Sequence, residues 1–223
     1  MIHGSAPWWY CDEVDIVLKP EELRVLGSLI EKESTTPEYY PLTLNSLTAA
    51  CNQKSNRWPV TDYADHDVIN AIAGLRSHGF AAEITGGSRV PKYAQRFTEK
   101  LNMGRRETAI LCVLMLRGQQ TIGEIKGRTE RMYQFADLDE VETVLHKLIE
   151  RPDGALVQKL APAPGMKEPR YAQTLGGPVE QVTAQTQTTP ATPQSDRLAA
   201  LEAEVSQLRE EVAELKRRLD EAL

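Results

Sequence analysis

Apolar residues recur at helical spacing in two parts of the chain, and each part is followed by a similar four-residue motif. Residues 67–75 carry an apolar stripe and are followed by a short apolar stretch and by Lys-Tyr-Ala-Gln at 92–95. Residues 140–148 have the same spacing and lead, through another apolar stretch, to Arg-Tyr-Ala-Gln at 170–173. The order helix, strand, turn, strand therefore occurs twice, and this predicts an internal repeat.

The first copy is predicted to begin with a helix after Lys19, since Pro20 suits the first helical turn. Pro37 and Pro41 predict an extended linker after this helix. Two more helices would follow, and then a hairpin turning at Gly86-Gly87-Ser88. The expected buried positions of the three helices are Leu23, Leu26, Leu29 and Ile30, then Leu44, Leu47 and Cys51, then Val68, Ile69, Ile72 and Leu75.

The second copy contains a run of seven apolar residues at 110–116, which would cover every side of a helix. Such a helix is expected to be buried on two sides, where domains or subunits meet. Thr121 and Glu124 have the spacing of a capping box, and Asp137 is expected to cap the last helix. A second hairpin is predicted around 162–169.

Three helices followed by a hairpin are the parts of a winged helix. The predicted fold class is α+β, mainly α, with two tandem winged-helix domains followed by a C-terminal coiled-coil helix. The predicted segments are an N-terminal extension (1–17), winged-helix domain 1 (18–103), winged-helix domain 2 (104–175), a flexible linker (176–196) and the coiled coil (197–223).

The copies differ in length. Leu26 matches Leu111 at an offset of 85 residues, whereas Val68 matches Val141 at an offset of 73. The first copy therefore holds about twelve extra residues, near Tyr39-Tyr40 and in 52–63. Loops added to a scaffold often carry function, but neither insertion contains an obvious reactive group.

The tail has an unbroken heptad pattern, which predicts a homodimer through a parallel coiled coil. The charges that flank the seam are opposite in sign in a parallel pairing. An amphipathic helix folded back onto its own domains is the alternative. The predicted dimerisation residues are Leu198, Leu201, Val205, Leu208, Val212, Leu215 and Leu219, and Ala222 continues the pattern.

Charge and composition narrow the class of protein. The net charge of −6 divides into −3 over 1–103, +1 over 104–175 and −4 over 176–223, so no segment is strongly basic. No apolar run is long enough for a membrane span, and no secretion signal is visible. Three scattered cysteines form neither a disulfide framework nor a metal motif, and a cytoplasmic location is predicted.

Residues suited to catalysis are not grouped in the sequence. The four histidines are scattered, no phosphate-binding glycine loop occurs, and no serine or cysteine lies in a nucleophile motif. Paired acids, such as Asp65 with Asp67 and Glu140 with Glu142, are interpreted as charges at helix starts. We therefore expect no enzyme, no cofactor and no metal.

Residues 35–60, with the phrase Thr-Thr-Pro-Glu-Tyr-Tyr-Pro-Leu-Thr-Leu, closely resemble the YceH family of bacterial proteins. The segments 89–97, 131–138 and 168–171 resemble it as well. The resemblance covers 18 to about 175. It implies two tandem winged helices in a cytoplasmic protein, and it implies no mechanism.

Two functions are compatible with this sequence. The first is a dimeric, DNA-associated protein, regulatory in role, that contacts phosphates of double-stranded DNA through wings and loops. The second is a non-enzymatic scaffold that docks an unidentified protein, without a membrane partner. Acidic residues on the third helix of each copy favour the scaffold. The candidate phosphate contacts are Lys54, Arg57, Arg89, Lys92, Arg96, Lys126, Arg128 and Arg131.

Arg57, Arg89 and Lys92 are expected to be exposed, so that replacing them together with alanine would hardly change stability. The alternative role is structural, with Arg89 and Lys92 pairing with Glu83 across the first hairpin.

Overall fold

The computed structural model describes residues 16–85, 90–162, 165–166, 168–177 and 179. Within these ranges the fold is α+β and mainly helical. The helices are α1 (Pro20–Thr35), α2 (Leu44–Cys51), α3 (Asp65–Ser77), α4 (Phe97–Lys100), α5 (Arg105–Arg117), α6 (Ile122–Thr129) and α7 (Leu138–Ile149). The strands are β1 (Leu42–Thr43), β2 (Ala81–Ile84), β3 (Lys92–Gln95), β4 (Val157–Leu160) and β5 (Arg170–Gln173).

The two halves of the chain repeat one arrangement. In the first half α1, α2 and α3 precede the antiparallel strands β2 and β3, and β1 adds to β3 with Leu42 opposite Tyr93. In the second half α5, α6 and α7 precede the antiparallel pair β4 and β5. Here Gln120 takes the place of β1, because it exchanges two backbone hydrogen bonds with Tyr171, of 3.0 and 2.7 Å. Tyr93 and Tyr171 are the tyrosines of the two repeated four-residue motifs. The two halves therefore share the register of strand pairing as well as the order of their elements.

The halves meet through α1 and α5. Every residue from Ala109 to Leu116 is buried, and one hydrophobic cluster continues from α1 into α5. The Cys112 thiol donates a hydrogen bond to the Gly27 carbonyl at 3.3 Å, and these two residues are equivalent at the offset of 85. The expectation of a helix buried on two sides is confirmed. Its second neighbour is the other half of the same chain, which removes apolar surface from water on both faces.

Local sequence explains where several helices begin. The Thr121 hydroxyl accepts from the Glu124 amide at 3.3 Å, and the Glu124 carboxylate accepts from the Thr121 amide at 2.9 Å. Asp137 accepts from the Glu140 amide at 2.8 Å, and α7 starts one residue later. Both predicted caps are therefore confirmed, since each satisfies amides that have no partner inside the helix.

Two predictions about the first half are wrong. Ile69 was expected in the core but is 46% exposed, because Val68, Ala71, Ile72 and Leu75 already form the complete buried stripe of α3. The segment between Pro37 and Pro41 was expected to be an extended linker. It begins with a single 3-10 turn at Pro37–Tyr39, since proline has the fixed φ of a first helical position.

The heptad tail, most of the preceding linker and most of the N-terminal extension lie outside the described residues. Among the described helices, none is long and apolar enough to cross a membrane.

Candidate nucleic-acid interface

Arg57 does not belong to an exposed interface, and the prediction that it is exposed is wrong. Its side chain is 0% exposed and binds Glu31 of α1 through two hydrogen bonds, of 2.6 and 3.2 Å. The same guanidinium donates to the Ala50 carbonyl at 2.9 and 3.1 Å. Because every one of these partners is internal, Arg57 holds the connection after α2 against α1.

Arg24, which the sequence did not single out, has a related role. Its guanidinium donates to the Cys51 carbonyl at 3.0 Å and to the Pro59 carbonyl. A buried arginine cannot be distinguished from a surface arginine by spacing alone, because its partners here are backbone carbonyls 27 and 35 residues away. The acceptors become visible only in the folded chain.

Arg96 and Arg128 are accessible but already have acidic partners. Arg96 lies 2.9 Å from Glu99, and Arg128 lies 3.3 Å from Glu124. Glu124 also lies 3.3 Å from Arg170, so one carboxylate serves two guanidinium groups. Pairs this exposed contribute little to stability and can exchange partners.

Four of the predicted side chains make no hydrogen bond or ion pair with any other residue that the structure describes: Lys54, Lys92, Lys126 and Arg131. Lys54 is exposed in the connection after α2, and Lys92 lies half-buried on β3 opposite Ile84. Lys126 lies on α6, and Arg131 follows that helix. Arg89 falls outside the described residues. The four described cations remain available to an anionic partner.

Glu83 was the alternative partner of Arg89 and Lys92 across the first hairpin, and its pairing with Arg89 lies outside the described residues. Its carboxylate lies 2.8 Å from Arg76 of α3, and within the described residues it has no contact with Lys92. The pairing proposed for Lys92 is therefore wrong. Glu83 instead ties β2 to the helix that precedes it.

The acidic residues at the starts of α3 and α7 are partly engaged. Asp67 accepts from the Ala64 amide at 2.9 Å. Glu140 accepts from the Ala136 amide at 2.9 Å and lies 3.1 Å from Arg106. The interpretation of these acids as helix-start charges is confirmed for both positions. Asp139 and Glu142 stay at the surface of α7 and oppose an approaching phosphate.

Arg128 and Arg131 line a cleft of about 250 Å³ that also includes Arg117. The sequence did not point to Arg117, because it directly follows the apolar run 110–116 at the end of α5. The cleft lies between α1, α5 and α6, so both halves of the chain supply its walls.

The described cysteines are not suited to catalysis. Cys51 and Cys112 are both free and fully buried, and burial raises the pKa of each thiol. A thiol held in its neutral form is a poor nucleophile. In the described part of the chain, no three His, Cys, Asp or Glu side chains come together as metal ligands would.

Comparison with known proteins identifies the family. The family described as "Protein of unknown function, DUF480" matches residues 18–166. A UPF0502 protein of Solibacter usitatus is 48% identical over 93% of this chain and 100% of its own length. UPF0502 proteins of Pelobacter propionicus and Vibrio atlanticus are 48% and 47% identical, over 93% and 91% of this chain and 97% of each relative. These names do not include YceH, which stays a prediction. The chain belongs to the DUF480 family, and its relatives carry the UPF0502 name.

Proposed function

We propose that this chain is a tandem winged-helix protein of the YceH type that associates with double-stranded DNA in a regulatory role. The repeated element order carries this proposal, with Tyr93 and Tyr171 in the same register next to β1 and its counterpart at Gln120. In such a fold the third helix enters the major groove and the hairpin approaches the backbone. Here α3 and α7 are the third helices.

Phosphate contacts are assigned to the cations that have no internal partner. Lys92 lies on the first hairpin, Lys54 in the connection before α3, and Lys126 on α6. Each can neutralise one phosphate without first breaking an ion pair in the described protein. Arg96 and Arg128 contribute less, since their ion pairs with Glu99 and Glu124 must rearrange.

Dimerisation completes the proposal. The heptad positions from Leu198 to Leu219 would join two chains in parallel and double the number of phosphate contacts. Replacing Leu208 and Leu215 with charged residues should shift the mass in solution from dimer to monomer. A wild-type monomer, measured by sedimentation, would refute this part.

The test of DNA association compares two variants that each lose two positive charges. We expect Lys54→Ala with Lys92→Ala to weaken duplex binding and to flatten the slope of log affinity against log salt by about 1.8. The matched control is Lys19→Ala with Arg105→Ala, which removes exposed charges outside the proposed contacts and should change the slope much less. Fluorescence anisotropy with a labelled duplex, from about 50 to about 200 mM salt, measures both.

Two results would contradict DNA association. One is equal slopes for the two variants. The other is the absence of any duplex affinity in the wild type at about 50 mM salt, where phosphate contacts are strongest.

A protein-docking scaffold is the second candidate, and exposed apolar side chains favour it. Ile69 on α3 is 46% exposed, Leu138 at the start of α7 is 50% exposed, and Trp58 is 64% exposed. Aromatic and large apolar side chains are enriched in protein interfaces. Binding through them would persist at about 200 mM salt, whereas phosphate-driven binding weakens steeply.

A further inference from the structure

The cleft between α1, α5 and α6 has an apolar floor and a charged rim. Cys112, Val113 and Leu116 of α5 form the floor and are nearly fully buried. Arg117 and Arg131 stand on the rim. A volume of about 250 Å³ is slightly below the usual range for small-molecule sites, so the cleft suits a ligand of modest size.

Positive charge exceeds negative charge around this cleft. The charged side chains that line it, with those ion-paired to them, are the cations Lys32, Arg57, Arg117, Arg128 and Arg131 and the carboxylates Glu31, Glu124 and Glu130. Five cations thus accompany three carboxylates. Glu31 is occupied by Arg57 at 2.6 Å, and Glu124 is shared by two arginines. Both of these carboxylates are therefore already paired. Glu130 lines the cleft without an ion pair to a described residue, so Arg117 and Arg131 face one unpaired carboxylate.

Two of the rim cations lack an acidic partner within the described chain. Arg117 donates to the side-chain oxygen of Asn56, which is a neutral acceptor. Arg131 makes no hydrogen bond or ion pair with the described residues. Burial lowers the pKa of Arg117, and repulsion from Arg128 lowers it further. An anion bound beside Arg117 would offset its repulsion from Arg128.

We infer that this cleft binds a small organic anion, with a carboxylate or phosphate group held by Arg117 and Arg131 and a short apolar body lying over Val113 and Leu116. A guanidinium group recognises both kinds of anion through paired N–H donors, so the two share one binding chemistry. The mixed lining explains why an organic anion fits better than an inorganic one: only its apolar body displaces water from the floor.

The position of the cleft gives binding a structural consequence. Glu31 and Asn56 belong to the first half of the chain, and Arg117 and Arg131 belong to the second. A ligand held by Arg117 and Arg131 lies beside these two residues of the first half, in a cleft that exists only in the folded chain. Ligand binding is therefore expected to raise the melting temperature of the protein.

The test uses phenyl phosphate, benzoate and inorganic phosphate as probes, with the full-length protein and calorimetric titration. We expect saturable binding of at least one organic probe and weaker binding of inorganic phosphate. Arg117→Gln and Arg131→Gln should each weaken the organic probe about tenfold, because a charged hydrogen-bond partner is lost. Arg105→Gln, on the same helix α5 but outside the cleft, should bind as the wild type does. If Arg117→Gln lowers the melting temperature, Arg131→Gln alone decides the point.

Three outcomes would overturn the inference. The first is the absence of saturable binding of either organic probe up to about 10 mM, a concentration well above ordinary ligand affinities. The second is tighter binding of inorganic phosphate than of phenyl phosphate, which would show that the apolar floor has no part. The third is displacement of the organic probe by duplex DNA, which would assign Arg117 and Arg131 to backbone phosphates. If the wild-type protein binds the organic probe but shows no affinity for duplex DNA, the proposed function is refuted and the cleft site stands.

Discussion

The connection between the second and third helices is built differently in the two halves. In the first half, two contacts hold residues 52–64 in place: the buried Arg57 binds Glu31, and the Trp58 amide donates to the Leu116 carbonyl at 2.8 Å. In the second half the corresponding connection, residues 130–137, is shorter. Its Tyr133 hydroxyl accepts from Arg106 at 2.8 Å, and the Arg106 side chain is 53% exposed.

This difference assigns a role to the extra residues of the first copy. The bond from Trp58 to Leu116, together with the contact between Asn56 and Arg117, ties the insertion to the second half of the chain. Asn52 closes the insertion on itself, since its side chain exchanges two hydrogen bonds of 2.8 Å with the Tyr63 backbone. The insertion is a brace between the halves, with Lys54 and Trp58 left at its surface.

The largest effect is expected from breaking the brace at Arg57. Arg57→Ala removes the shortest contact of Glu31, whose side chain is 15% exposed, and leaves it only the longer contact with Lys32 at 3.6 Å. It also removes the hydrogen bonds to the Ala50 carbonyl, and we expect a loss of about 3 kcal/mol in unfolding free energy. Arg96→Ala is the matched control. It removes an arginine whose ion pair with Glu99 is exposed, and it should cost less than about 1 kcal/mol. Equilibrium denaturation in urea measures both, and equal losses would show that Arg57 contributes no more than a surface charge.

A smaller loss of unfolding free energy is expected from a substitution at the contact between α1 and α5. Its control, a glycine on α6, should show a gain instead. A Cβ added at Gly27 would lie 2.9 Å from Leu116 of the other half. We therefore expect Gly27→Ala to cost about 1–3 kcal/mol through overpacking. At Gly127, on α6, a Cβ would meet nothing within 4 Å. Gly127→Ala should stabilise the protein by about 0.5–1 kcal/mol, because alanine favours a helix. If Gly27→Ala is also stabilising, the halves are not in close contact there.

The smallest expected effect is a loss of stability in acid, through the ion pair between Glu31 and Arg57. Burial alone would raise the pKa of Glu31, but its hydrogen bonds and charge contact with Arg57 hold that pKa below the ordinary 4.5. A group whose pKa is depressed by folding stabilises the protein fully above its unfolded pKa. That contribution is lost as pH falls through the folded value. The stability advantage of the wild type over Glu31→Gln should therefore be constant near neutral pH and shrink below about pH 4.5. An advantage that grows in acid would reverse the assigned direction.

Local chemistry made much of this fold predictable. The stripe Val68, Ala71, Ile72 and Leu75 repeats at 141, 144, 145 and 148, and both stripes are buried because periodicity fixes which face of a helix is apolar. Thr121 and Asp137 cap helices because a side-chain oxygen of this kind satisfies an amide two or three residues ahead. The seven-residue apolar run of α5 predicted a helix covered on both sides.

The tertiary structure decided the roles of the charged residues. Arg57 and Lys54 lie three residues apart in one polar loop, yet the first is fully buried against Glu31 and the second is exposed. Nothing in the local sequence separates them, because Glu31 is 26 residues away and reaches Arg57 only after α1 and α2 pack together. The same holds for Arg117 and Arg131, which come to line one cleft only after α5 and the segment that follows α6 pack together. Periodicity along the chain determined which residues form the core, and packing between distant segments determined which cations remain for a ligand.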